Sequence, residues 1–185
     1  MTIQFQTDDA LIVVDVQNDF CPGGALPIEH GDEIIPVLNH WIDDAVSKNI
    51  PIYASRDWHP VGHISFTDRG GPWPPHCIQD TSGARFHPDL HLPESAIIVT
   101  KGVRFDQDQN SAFDQTGLAD ELRRHNIKRL WVGGLAEDVC VLATALDGRK
   151  AGFEVVFIEH AAHPVSQKGG EKARHAMLDA GIHIV

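Results

Sequence analysis

Nothing in this chain is apolar for the about 20 residues that a membrane-spanning helix needs; its longest apolar runs are strand-sized, so no membrane association is expected. Cysteine is scarce. The three present are an odd number that cannot all pair, which argues against a disulfide framework. Positive charge is in the minority, with 15 Lys and Arg against 26 Asp and Glu and a formal net charge of −11, so neither nucleic acid nor an anionic lipid surface is expected as a partner. The opening stretch "MTIQFQTDD" lacks the basic, apolar and small-residue progression of a secretion leader, and the expected compartment is the reducing cytoplasm. No serine stands in a Gly-x-Ser-x-Gly elbow, which disfavours a serine hydrolase. Internal repeats, low-complexity tracts and linkers are also missing, and 185 residues suit one domain spanning 1–185. The expected partner is a small-molecule substrate, with further copies of the same chain in a homo-oligomer as the one other partner considered.

What is present is an alternation of two periods. Short apolar runs predict strands at Ala10–Val16, Pro51–Ser55, Ala96–Thr100, Arg129–Val132, Glu154–Glu159 and Ile182–Val185. Helical stretches fall between them at Asp32–Lys48, Gly117–Asn126, Asp138–Lys150 and Lys168–Ala180. Strand and helix in turn predict an α/β fold, an open and mostly parallel six-stranded sheet with helices on both faces. The interval 57–95 has no helical period, but carries six prolines and five of the twelve histidines. A long irregular connection inside a compact domain is usually functional or disordered. It is expected to be a metal-binding loop insertion.

Chemistry-bearing residues follow the strands. Asp15 closes the first, Asp57 and His59 the second, Lys101 the third, and Cys140 comes after the fourth, in "VGGLAEDVC". Ligands of open α/β sheets bind outside the carboxyl ends of the strands, so these groups are delivered to one rim. A buried cysteine is more often an inert small hydrophobe, and Asp15 with Lys101 could be a mere ion pair, but such assorted groups converging on one rim favour a reactive site. A thiol nucleophile needs a base, a cation and donors for an oxyanion; Asp15, Lys101 and the backbone N–H groups of "GLAEDVC" can supply them. Cys140 would sit near the start of a helix, where a thiolate is favoured. Asp57 and His59, with His63 and His76 of "WPPHC" downstream, offer the carboxylate and imidazoles that suit Zn²⁺, Mn²⁺ or Fe²⁺. Cys77 is read as structural, and His87, His91, His125 and His175 as surface residues.

The blocks "LIVVDVQNDFCPGGAL", "SRDWHPVGHISF", "WPPHC", "TKG", "QNSAF" and "GGLAEDVCVLATALDGRKAGFEV" occur in an order that resembles the nicotinamidase (pyrazinamidase) branch of the isochorismatase-like cysteine hydrolases over nearly the whole chain. The resemblance implies an isochorismatase-like fold and a catalytic triad of Asp15, Lys101 and Cys140. It implies Asp57, His59 and His76 as ligands of a divalent metal, with His63 a further ligand in some members. It also implies a cis peptide before Ala136, an oxyanion hole from the N–H groups of Ala136 and Cys140, and a ring slot made by Phe20 and Trp73. The activity implied is hydrolysis of nicotinamide, and of pyrazinamide, to the acid and ammonia through a thioester on Cys140. The metal would position the pyridine ring. Glu137 and Val139 stand where many members have Thr and a bulky or aromatic residue, and Asn110 where Tyr is frequent; these departures bear on substrate preference rather than on reaction class. The alternatives are a metal-free cysteine hydrolase of another small amide or carbamoyl compound, and a module that binds a small ligand without turnover.

Overall fold

All six residues of the first strand, β1 (Asp9–Val14), are buried, as befits a strand covered on both faces. Their alternation sorts the interior into two layers. Leu11 and Val13 pack on one side with Leu38, Ile42 and Trp131, while Ala10, Ile12 and Val14 pack on the other with Leu122, Val141, Ala145 and Met177. The computed structural model describes residues 4–185, so the first three residues of the expected 1–185 unit lie outside the described residues. The other strands are β2 (Ile52–Asp57), β3 (Ile97–Lys101), β4 (Arg129–Leu135), β5 (Glu154–His163) and β6 (His183–Ile184). They form one sheet in the order β3-β2-β1-β4-β5-β6, with every neighbouring pair parallel.

A short 3-10 turn, Gly31–Ile34, leads into helix α1 (Ile35–Ser47), which covers one face of the sheet through Leu38, Ile42 and Ala45. Helices α2 (Leu118–Arg124), α3 (Leu142–Lys150) and α4 (Gln167–Asp179) place buried residues in the opposite layer. Helices therefore lie on both faces, as the alternation predicts. None of them is long and apolar enough to cross a membrane, among the described residues.

The strand ends depart from the apolar runs in a way that matters for the site. β2 continues through Asp57 and β3 through Lys101, and these two residues are register partners. Charge ended the expected strands, yet backbone pairing continues because the charges are buried against each other. β1 stops earlier than expected, at Val14, since Asp15 takes a left-handed conformation at φ 49° that turns the chain. β4 runs on through Gly133, Gly134 and Leu135.

The helix expected from Asp138 is corrected at its start. Glu137–Val141 forms a π turn in which the Val141 N–H donates to the Ala136 carbonyl, five residues back, and regular α-helix begins only at Leu142. Cys140 lies in that turn.

The interval 57–95 contains no α-helix, only a 3-10 turn at Thr67–Arg69. Backbone bridges Gln17 to Phe86, His59 to Ile78 and Phe66 to Trp73 nevertheless hold it. Its Cys77, Ala84 and Leu90 join the core layer on the α1 side.

Candidate active site

The strand ends deliver Asp15, Asp57, Lys101 and Cys140 to one buried cluster. The Lys101 ammonium, with no exposed side-chain surface, lies 2.8 Å from Asp15 Oδ2 and 2.5 Å from Asp57 Oδ1. It also donates to the Gln109 carbonyl at 3.3 Å and stands 3.8 Å from Cys140 Sγ. Ligating atoms of Asp15, Asp57 and Cys140 all lie within 4.8 Å of one another. Ser55 Oγ donates to the other Asp15 oxygen at 2.6 Å.

The electrostatics of this cluster are set by burial and by two carboxylates sharing one ammonium. Burial works against the Lys101 charge, but Asp15 and Asp57 outweigh it and hold the ammonium well above the ordinary lysine value. Asp15 is driven up from the usual carboxylate range by burial, with Lys101 opposing and Asp57 adding to the rise. Burial acts on Asp57 in the same sense, yet Lys101 and His59 overcome it and hold that carboxyl below its usual range. Burial pushes the Cys140 thiol well up, against Lys101 and with Asp15 and Asp57. The resting state is thus a neutral thiol facing a carboxylate of raised basicity, held by an ammonium that stays charged.

Asp57 joins this cluster to a second one. Its Oδ2 lies 3.6 Å from His59 Nε2 and 4.0 Å from His76 Nε2, and ligating atoms of the three residues fall within 4.8 Å of one another. Carbonyl oxygens only accept, so the contacts of His59 Nδ1 with the Gly102 carbonyl at 2.9 Å and of His76 Nδ1 with the Pro74 carbonyl at 2.8 Å fix Nδ1 as the protonated nitrogen in both rings. Both Nε2 atoms are then the ones turned toward Asp57. Outer carbonyls orienting inner imidazoles beside an ionised carboxylate are the donor set of a divalent transition metal, so these residues fit one.

His63 is placed differently. Its Nε2 donates to the Gln107 carbonyl at 2.9 Å and its Nδ1 accepts from Ser65 Oγ at 2.7 Å, so neither nitrogen is spare. Its ring stacks on that of His59 with centroids 4.0 Å apart, making it a brace for the imidazole beside it.

Phe20 is buried, with its ring 5.5 Å from that of His76. Phe20 and half-buried Trp73 line one apolar cavity with Leu26, Ile28, Val139 and Val165. The wider groove along α1, bounded by Asp32, His40 and His87, contains none of these residues. The peptide between Leu135 and Ala136 is cis, as expected, and the Ala136 carbonyl accepts from Val139 N and Val141 N at 3.1 Å each. Asn110 Oδ1 lies 4.0 Å from Cys140 Sγ on the open side.

Several residues of this architecture lie in the family-like blocks but have no role that local pattern assigns. Gln17 accepts from Asp57 N at 2.8 Å and donates to the Asp57 and Ala84 carbonyls at 2.7 and 2.9 Å, locking β2 to the irregular loop. The Gln109 side chain accepts from Gly102 N at 2.8 Å. Gly102 itself has φ 69°, and a Cβ there would run into the His59 ring. It stands in "TKG", directly after a charged strand end, as Gln17 stands in "LIVVDVQNDFCPGGAL" and Gln109 in "QNSAF".

Residues 9–185 match the isochorismatase domain. The nicotinamidase of Escherichia coli (strain K12) is 38% identical over 191 residues, covering 92% of this chain and 89% of its own. Among solved structures, the pyrazinamidase of Pyrococcus horikoshii in complex with zinc superposes with a TM-score of 0.94 at 48% identity, covering 96% of this chain and 98% of that one. PnC1 from L. infantum in complex with nicotinate gives a TM-score of 0.90 at 39% identity, over 97% of this chain and 92% of that one. A buried thiol, base and ammonium at the rim of this sheet, together with a match over almost every described residue, place the chain in the isochorismatase family.

Proposed function

We propose that this chain is a metal-containing cytoplasmic amidase that hydrolyses nicotinamide, and pyrazinamide, to the corresponding acid and ammonia through a thioester on Cys140. One observation carries the reading: a single buried ammonium, Lys101, touches Asp15, Asp57 and Cys140, tying a nucleophile and its base to a metal-binding set.

Asp15 takes the proton of the Cys140 thiol, and the sulfur attacks the carboxamide carbon. The N–H groups of Ala136 and Cys140 receive the oxyanion. Asp15 returns its proton to the amide nitrogen, the C–N bond breaks and ammonia leaves, with the acyl group now on sulfur. A water molecule then attacks the thioester carbon, giving a proton to Asp15 and its hydroxide to the acyl carbon. The carbon–sulfur bond breaks and Asp15 reprotonates the thiol. Lys101 stays charged throughout and steadies whichever of Asp15 and Cys140 is anionic. Phe20 and Trp73 hold the ring. Asp57, His59 and His76 would hold a divalent metal, which would supply a Lewis-acidic anchor for the ring nitrogen.

The test is ammonia release from nicotinamide by the metal-loaded protein, with Cys140→Ala beside it. Wild-type turnover and a variant that is folded, metal-bound and inactive are expected. Turnover by the variant within tenfold of wild type would remove the thioester from the mechanism.

A further inference from the structure

The turn that carries Cys140 has an unusual occupant. Glu137, directly after Ala136, is a carboxylate with only 2% of its side chain exposed. Its partner comes from another element: Arg174 on α4 places Nη1 2.5 Å from Glu137 Oε1, and its Nε lies 3.4 Å from Glu159 Oε1 on β5. Burial drives the Glu137 carboxyl up and Arg174 opposes this, so an unpartnered Glu137 would be forced toward neutrality.

The next residue grips the same neighbour. Asp138 Oδ1 accepts from Val165 N at 2.8 Å, in the loop that leads into α4. A Cβ at Gly169, in the first turn of α4, would collide with the other Asp138 oxygen, so glycine is what lets the helix approach this closely. Ser166 caps that helix by accepting from Gly169 N at 3.1 Å. Two consecutive acidic residues between the proposed oxyanion donors are thus held by α4 and its lead-in. Val139 and Val165 both line the apolar cavity.

We infer that Arg174 is a positioning residue for the oxyanion turn, acting through Glu137, so that the seating of α4 sets the alignment of the Ala136 and Cys140 N–H groups on the substrate oxygen. This rests on the amidase reading above. A purely structural ion pair would add stability only. A positioning pair acts on steps that build an oxyanion and spares those that do not.

Three measurements on Arg174→Met separate these roles. Nicotinamide turnover and binding of pyridine-3-carbaldehyde, whose adduct with the thiol places an oxygen in the same hole, both need the aligned donors. Alkylation of Cys140 by iodoacetamide displaces iodide at a saturated carbon and needs none. The expected result is a fall in kcat of about 10- to 100-fold with KM changed less than about threefold. Aldehyde affinity falls in parallel, alkylation stays within about twofold, and Arg174→Lys recovers most of kcat. Glu137→Ala, which removes the anion together with its need for a partner, carries the same comparison if Arg174→Met does not fold. Retention of kcat within about threefold by the folded variants, or equal loss of turnover and alkylation, overturns the inference. Absence of ammonia release by the wild-type protein overturns the amidase reading instead, and the aldehyde and alkylation comparison still stands.

Discussion

At the scale of single residues, the site works by holding two neighbouring groups away from their ordinary proton affinities in the same direction. A carboxylate at about 3.9 would be a weak base toward a thiol at about 8.5. Burial raises both Asp15 and Cys140, and Lys101, itself kept charged by Asp15 and Asp57, limits each rise. Asp15 must be deprotonated to act as base, so kcat/KM should fall as pH drops through its pKa, on a limb lying above the ordinary carboxylate range. The Ser55 hydroxyl lowers Asp15 by donating to Oδ1, so Ser55→Ala should move that limb to higher pH in a pH–rate profile; an unmoved limb would separate Ser55 from the base. Asp15→Asn should lose the limb with most of the turnover, and its thiol should alkylate more slowly. If iodoacetamide modifies Cys140 in this variant as fast as in wild type, the activating base is another group.

At the scale of elements, the candidate metal set depends on backbone carbonyls that sequence reading does not reach. His59 and His76 are each oriented by a carbonyl, from Gly102 after β3 and from Pro74 in the irregular loop. Removing an inner ligand and disturbing an outer one differ in degree: outer partners are worth about 10- to 100-fold in metal affinity. His76→Ala should therefore lose most bound metal by elemental analysis. Gly102→Ala should weaken binding about 10- to 100-fold, since its new Cβ meets the His59 ring. His63→Ala removes only a stacked brace whose nitrogens are already engaged, and should keep more metal than His76→Ala; the reverse ranking would put His63 in the inner set. The order of strands and helices was legible because hydrophobic period is local. The π turn was not, because "EDVCV" scores as helix by composition, and its Ala136-to-Val141 bond arises where the turn leaves β4.

At the scale of the whole molecule, the proposed ring slot and the thiol cluster are parts of one rim, since Phe20 packs near His76 while His76 faces Asp57 and Asp57 holds Lys101. If the metal anchors the pyridine nitrogen, benzamide, with the same amide and no ring nitrogen, should be a far poorer substrate than nicotinamide. Chelation should shrink that difference in kcat/KM, and comparable values for the two amides in the metal-loaded protein would end the anchoring role. The sequence by itself determined the α/β alternation, the parallel sheet and the arrival of Asp15, Asp57, Lys101 and Cys140 at strand ends, because apolar period and charge position are properties of neighbouring residues. Only the tertiary structure decided that Lys101 serves both Asp15 and Asp57, that His63 stacks on His59 with both its nitrogens engaged, and that Arg174 reaches Glu137 from 37 residues away. Those pairings are fixed by strand register and helix seating, which close over chain separations that local pattern does not encode.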